Sequence, residues 1–151
     1  MSPDLTILLL FAALALYGAY SDIRFRTIPN VFNALMAIVG LGATWFAHGI
    51  PGVGYSLAHL AVALAAGLAL YALGVWGGGD AKFYAASAAW FELGDFPLLA
   101  LSIALSGLIV LIVWFGGRQV RKPARRDRGK KELPYGVAIA LGGIVALALR
   151  V

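Results

Sequence analysis

Two carboxylates stand apart from the rest of this sequence. Asp80 follows a glycine run in Gly77-Gly78-Gly79-Asp80-Ala81-Lys82, and Asp22 lies in Ser21-Asp22-Ile23-Arg24-Phe25-Arg26-Thr27-Ile28-Pro29-Asn30. Both sit at the edges of strongly apolar segments. An aspartate at the centre of a membrane helix costs roughly 3 kcal/mol on insertion scales, so an acid in such a setting is a functional-site hypothesis by default. Two facing carboxylates cannot both ionise cheaply and hold a proton between them. The charged member can then activate a water. The protonated member can polarise a peptide carbonyl and later protonate the leaving amine, which is general acid–base hydrolysis without a covalent intermediate. Such a reaction needs no metal and no cofactor. Glycine suits the site because the missing Cβ permits unusual backbone angles and lets a second backbone, such as a peptide substrate, come close. The plainer alternative is a Gly-rich turn in which Asp80 caps the helix that follows.

Other chemistries lack their parts. The chain has no cysteine, which removes thiol nucleophiles, disulfides and Cys-based zinc sites. Ser87, Ser102 and Ser106 fall in apolar runs with no His or Lys pattern beside them. His48 and His59 belong to the half of the chain's layout away from both aspartates, and His59 reads as a polar residue satisfied within a helix rather than a metal ligand. The run Gly77–Gly79 is too short for a phosphate-binding loop and lacks its Lys-Ser/Thr.

The elements that must hold the two acids are membrane helices. Hydrophobic residues make up 62% of the chain and charged residues 13%, with a mean hydropathy of +0.88. Soluble domains carry about 25% charged residues, so the chain reads as one integral membrane domain, 1–151. The net charge of +5 belongs to connections between apolar runs, which points to membrane topology and not to nucleic acid. The first residues, Met1-Ser2-Pro3-Asp4, lack the basic start of a cleavable signal, so the first apolar run is expected to be a retained span.

Six apolar segments are expected as helices, at 5–20, 31–47, 55–76, 81–91, 96–115 and 133–151, giving an all-α bundle of about six transmembrane helices. A span needs about 20 residues, so the fourth is clearly short. It is expected to borrow residues 78–80 or to lie buried among its neighbours. The connections are 21–30, 48–54, 77–80, 92–95 and 116–132. Assigning the first, third and fifth to one side gathers there, with Lys82 just past the third, eleven of the twelve Lys and Arg and leaves only Arg150 on the other. By the positive-inside rule that side is the cytoplasm. Two spans separate Asp22 from Asp80, and an even number of crossings returns the chain to its starting face. Both carboxylates are therefore expected at the cytoplasmic face. The basic connection 116–132 is also a candidate for contact with anionic membrane lipid.

The stretch from Asp22 to Pro29-Asn30, the run Gly77-Gly78-Gly79-Asp80, and Leu133-Pro134-Tyr135-Gly136-Val137-Ala138 in the last segment together resemble the type IV prepilin peptidase family, in its short form associated with tight-adherence (Flp) pili. The resemblance runs over nearly the whole chain. It implies an intramembrane aspartic endopeptidase with a G-x-G-D motif that removes leader peptides from prepilin-like substrates. It further implies Asp22 and Asp80 as the catalytic pair and Gly77 and Gly79 as the motif glycines. Pro29 and Asn30 match the end of the first motif, where Pro ends one segment and Asn is expected to cap the next helix. Pro134-Tyr135-Gly136 carries no assigned role. The chain lacks the extra cytoplasmic segment with paired Cys motifs that marks the long members, so cleavage without N-methylation is expected. Two other classes compete: a small proton-coupled transporter or channel using the same two aspartates, and a structural subunit of a secretion assembly. Transporters often carry an internal repeat of spans, and none is visible here.

Overall fold

The structure, a computed structural model, describes residues 3–120 and 135–150. It is all-helical there: α1 (Pro3–Phe25), α2 (Asn30–Ala72), α3 (Gly78–Ala88), a short 3-10 turn (Leu93–Asp95), α4 (Phe96–Val120) and α5 (Tyr135–Ala148). Three stretches, Asp4–Phe25, Asn30–Ala72 and Leu93–Gly116, are long and apolar enough to cross a membrane. They expose large apolar side chains, such as Leu105, Ile109 and Ile112 on α4, as suits a lipid-facing surface.

A straight helix of 43 residues would run about 65 Å, twice the hydrocarbon thickness of about 30 Å. α2 is not straight. Gly49 leaves the helical region at φ 66° and ψ −162°, a backbone conformation open to glycine. The hydroxyl of Ser56 donates to that of Thr44 at 3.3 Å, although residues twelve apart on a straight helix stand about 18 Å apart. The chain therefore doubles back at Gly49, and α2 is a hairpin of two arms, 30–48 and 50–72. Pro51 falls in the first turn of the second arm, where its missing N–H breaks no helix bond. The connection expected over 48–54 thus shrinks to one non-helical residue. With α2 read as two arms, each of the six apolar runs is found as a helical segment.

α3 is 11 residues long, too short to span, and takes in residues 78–80 as expected. Ala81 and residues 83–88 are buried. It packs against both arms of α2 through small residues, which let backbones approach closely where lipid supplies no hydrophobic drive. A Cβ on Gly67 would meet Ala81 Cα at 2.9 Å, and one on Gly40 would meet the Trp90 ring at 2.5 Å. The helix stops at Ala88, three residues before the end of its apolar run, because the chain closes in turns with Trp90 N–H donating to Ser87 O and Phe91 N–H to Ala88 O. Trp90 Nε1–H donates to Met36 O at 3.1 Å, and the Thr44 hydroxyl to Ala89 O at 3.3 Å. Phe11 meets the rings of Trp90 and Phe91 edge-on at 5.2 and 6.0 Å, which ties α1 to this core.

α5 rests on α4 and α1 through its own glycines. A Cβ on Gly142 would fall 2.5 Å from Ile103 Cα, and one on Gly143 would fall 2.6 Å from Phe11 Cζ. α4 extends to Val120, so the polar connection expected from 116 begins as helix, and its remainder, 121–132, lies outside the described residues.

Candidate active site

α1 ends just past Asp22. Arg26 N–H donates to the Asp22 carbonyl at 2.9 Å, and Arg26 itself takes φ 54°, a left-handed conformation that costs a non-glycine residue of order 1–3 kcal/mol. The buried Ser21 hydroxyl donates to Thr27 O at 2.7 Å and fixes the reversal. Ile28 is buried. Pro29, extended at φ −60° and ψ 139°, is the residue at which α2 begins, and no side chain caps that helix. The expectation that Asn30 caps it fails, because Asn30 is already the first helical residue. Its Oδ1 instead accepts from Lys82 Nζ at 2.9 Å, joining the start of α2 to α3.

Asp22 is half-buried, and its Oδ2 accepts from the Gly136 N–H at 3.0 Å. Gly136 is at the start of α5, where N–H groups have no partner within the helix and the dipole favours an anion. A Cβ on Gly136 would lie 2.8 Å from that same oxygen and 2.9 Å from Asp22 Cβ. The segment left without a role in the sequence therefore touches the first aspartate. Its sequence signal was the resemblance of Pro134-Tyr135-Gly136 to the family's last segment, which carried no role.

Asp80 is the third residue of α3, and its Oδ2 accepts from the Gly77 N–H at 3.1 Å. This is one half of a capping box, so the plainer description of a capped Gly-rich turn is present in the local geometry. Gly77 sits at φ −77°, and among the described residues the glycines with positive φ are Gly49 and Gly74. The motif glycines thus do not serve an unusual backbone angle. Gly79 lies against the first motif, its would-be Cβ 3.9 Å from Ile28 N.

The link between the two regions starts at the end of α2. Gly74 N–H donates to Tyr71 O and Val75 N–H to Leu70 O, both at 2.9 Å, with Gly74 at φ 73°. This is the Schellman arrangement, which stops a helix with a left-handed glycine. It delivers Trp76 between two rings, Tyr84 at 5.5 Å and Tyr135 at 6.3 Å. Asp22 and Asp80 therefore stand at one end of the bundle, joined through Ile28–Gly79 on one side and Trp76–Tyr135 on the other. His48, Glu92, Asp95 and Arg150 gather at the opposite end, with His48 Nδ1 3.5 Å from Glu92 Oε1 and an ion pair of 3.1 Å between Arg150 and Asp95. His59 belongs there too. Its Nδ1 donates to Phe91 O at 3.3 Å, while Nε2 is buried without a partner, so the ring is half satisfied.

Residues 9–115 match the model of the type IV leader peptidase family. The chain belongs to that family. The matched range takes in both aspartates, Pro29, Asn30 and the glycine run, whereas Gly136 falls beyond it. Among curated proteins, the chain is 29% identical over 134 residues to a prepilin leader peptidase/N-methyltransferase of Pectobacterium carotovorum subsp. carotovorum. That alignment covers 85% of this chain and 46% of the relative, so the chain spans under half of that protein's length. No solved structure matches it significantly. Membership of a leader peptidase family favours the peptidase over the transporter or channel, which gains no support.

Proposed function

We propose that this member of the type IV leader peptidase family is an intramembrane aspartic endopeptidase that removes the leader from prepilin-like proteins. The observation that carries the reading is the placement of Asp22 and Asp80 at one end of the bundle, each with a carboxylate oxygen held by a glycine N–H. One carboxylate takes a proton from the attacking water while the other gives its proton to the carbonyl oxygen; as the peptide bond breaks, the first passes its proton to the leaving nitrogen and the second recovers one from the hydroxyl of the tetrahedral intermediate. Fixed backbone donors suit this task, since they hold each acid in place without competing for the substrate. The proposal covers peptide cleavage alone, which is the part of the relative's activity that two carboxylates can perform.

In this reading the chain is a multi-pass protein of the cell's inner membrane, with six helical segments and the active site at the cytoplasmic face. Arg24, Arg26 and Lys82 lie in sequence beside the two aspartates, and Asp4 lines a small cavity with His48 and Arg150 at the other end. That distribution agrees with the positive-inside rule.

The test is co-expression with a prepilin-like substrate that has a basic leader before an apolar helix. The wild-type chain is expected to release the leader. Asp22→Asn and Asp80→Asn are each expected to lower cleavage by at least about a thousandfold while the protein stays inserted, because the acids perform different halves of one reaction. Processing at near wild-type rate by either variant refutes the assignment.

A further inference from the structure

Each aspartate is held by the glycine that follows an aromatic residue. Asp80 accepts from Gly77, directly after Trp76, and Asp22 accepts from Gly136, directly after Tyr135. The two aromatic rings lie 6.3 Å apart, tilted by 50°. We infer that Trp76 and Tyr135 form a strut that sets the separation and mutual orientation of Asp22 and Asp80, which makes them positioning residues for the peptidase reaction. The inference rests on the peptidase reading above.

Consecutive Cα atoms are 3.8 Å apart, so a shift of the backbone at either aromatic residue carries the glycine N–H that follows it and the carboxylate bonded to that N–H, and the packed ring is what resists the shift. The contacts close a loop through Asp22, Gly136, Tyr135, Trp76, Gly77 and Asp80, and the chain returns from Asp80 through Gly79 to Ile28 and the end of α1. Along that loop, a Cβ added to Gly79 would reach Ile28 only at ordinary van der Waals distances near 4 Å, so this side is not tightly packed. The ring pair is the bulky part. Trp76 is braced from behind by the buried Tyr84, whose ring meets it edge-on at 5.5 Å. Its chain position is set by the Schellman end of α2, whose Gly74 takes φ 73°. The strut is thus anchored at the end of α2 and at the start of α5, with Tyr84 of α3, the helix that bears Asp80, packed against the Trp76 ring. A displacement of about 1 Å at a catalytic group can lower a rate by about a hundredfold, which is the scale on which such a brace acts.

Trp and Tyr at the level of a membrane interface also serve as plain anchors, and that role does not depend on the partner ring. The two are separated by measuring the aspartate spacing itself. Because the chain contains no cysteine, an Asp22→Cys/Asp80→Cys protein in membranes can be bridged by thiol-specific reagents of graded length and the shortest effective one recorded. Adding Trp76→Leu or Tyr135→Leu is expected to lengthen that shortest reagent or lower its yield severalfold, while Tyr135→Phe, which keeps the ring, leaves both unchanged. With the aspartates intact, the two leucine variants are expected to lose about tenfold or more in kcat on a prepilin-like substrate, KM holding within about twofold; Tyr135→Phe restores the rate. If the leucine variants do not accumulate, Trp76→Phe is read in their place, with an intermediate bridging yield expected. Bridging unaffected by loss of either ring overturns the strut and leaves the peptidase reading standing. Failure of every reagent to bridge the parent dicysteine protein removes the aspartate pair, and the strut falls with it.

Discussion

Gly136 donates its backbone N–H to Asp22 Oδ2 at 3.0 Å, and no Cβ fits between the two residues. The link joins positions 114 residues apart and couples the end of α1 to the start of α5.

From this contact, Gly136→Ala is expected to push Asp22 away from the N–H that holds it. The added methyl would overlap Asp22 itself, not a flexible neighbour. The expected outcome is a fall in cleavage of about a hundredfold, with a stability loss of about 1–3 kcal/mol as in other overpacked sites. Cleavage of a prepilin-like substrate, followed together with unfolding in detergent, checks it. Activity within twofold of wild type would show that Asp22 does not depend on this contact.

The motif glycines separate in the same way. A Cβ on Gly77 would stand 3.0 Å from Asp80 Oδ2, whereas on Gly79 it would meet only ordinary contacts near 3.9 Å. Gly77→Ala is therefore expected to displace the Asp80 carboxylate and lower kcat. Gly79→Ala leaves the fold intact, so any loss of activity there reports on substrate approach to the backbone and appears as a raised KM. Kinetics of both variants on one substrate decide the point; a Gly79→Ala protein that unfolds more easily than wild type contradicts the assignment.

Gly49 carries the turn of the α2 hairpin at φ 66°. Its would-be Cβ meets nothing closer than 3.8 Å, so Gly49→Ala isolates the conformational cost of placing alanine at φ 66° and ψ −162°, a region essentially restricted to glycine, of order 1–3 kcal/mol. A matching drop in unfolding free energy, with the rate per folded molecule unchanged, is the expected result.

Much of this arrangement was legible in the sequence, and the gaps have physical causes. The six apolar runs were visible because lipid-facing helices must be apolar along their length. The shared end of Asp22 and Asp80 followed from counting runs, since parity does not depend on exact boundaries. The length of the α2 turn was not legible: His48, Pro51 and Gly52 look like loop residues, yet one glycine makes the reversal and Pro51 is accommodated in a first turn. The end of α3 was also missed, because Ala89, Trp90 and Phe91 are as apolar as the helix before them, and only tertiary bonds such as Trp90 to Met36 show why the chain turns there. Gly136 and the Trp76–Tyr135 contact escaped for the simplest reason. They depend on which helix ends meet, and apolar periodicity carries no information about neighbours.

The α4–α5 interface offers a control that separates folding from chemistry. A Cβ on Gly142 would meet the Ile103 backbone at 2.5 and 2.6 Å, whereas one on Gly107, across the same interface, would meet only the Ala138 Cβ at 3.7 Å. Backbone cannot swing aside as a side-chain tip can, so Gly142→Ala must part the two helices. Close approach of small residues is a main source of helix association in a bilayer, so parting them is expected to cost about 1–3 kcal/mol. Gly107→Ala fits the existing space and is expected to change stability by less than about 0.5 kcal/mol. Neither glycine contacts an aspartate in this structure, so cleavage per folded molecule should stay within about twofold of wild type for both. Thermal unfolding in detergent alongside rate measurements checks the pair. Equal stability of the two variants would mean that α4 and α5 do not pack through Gly142.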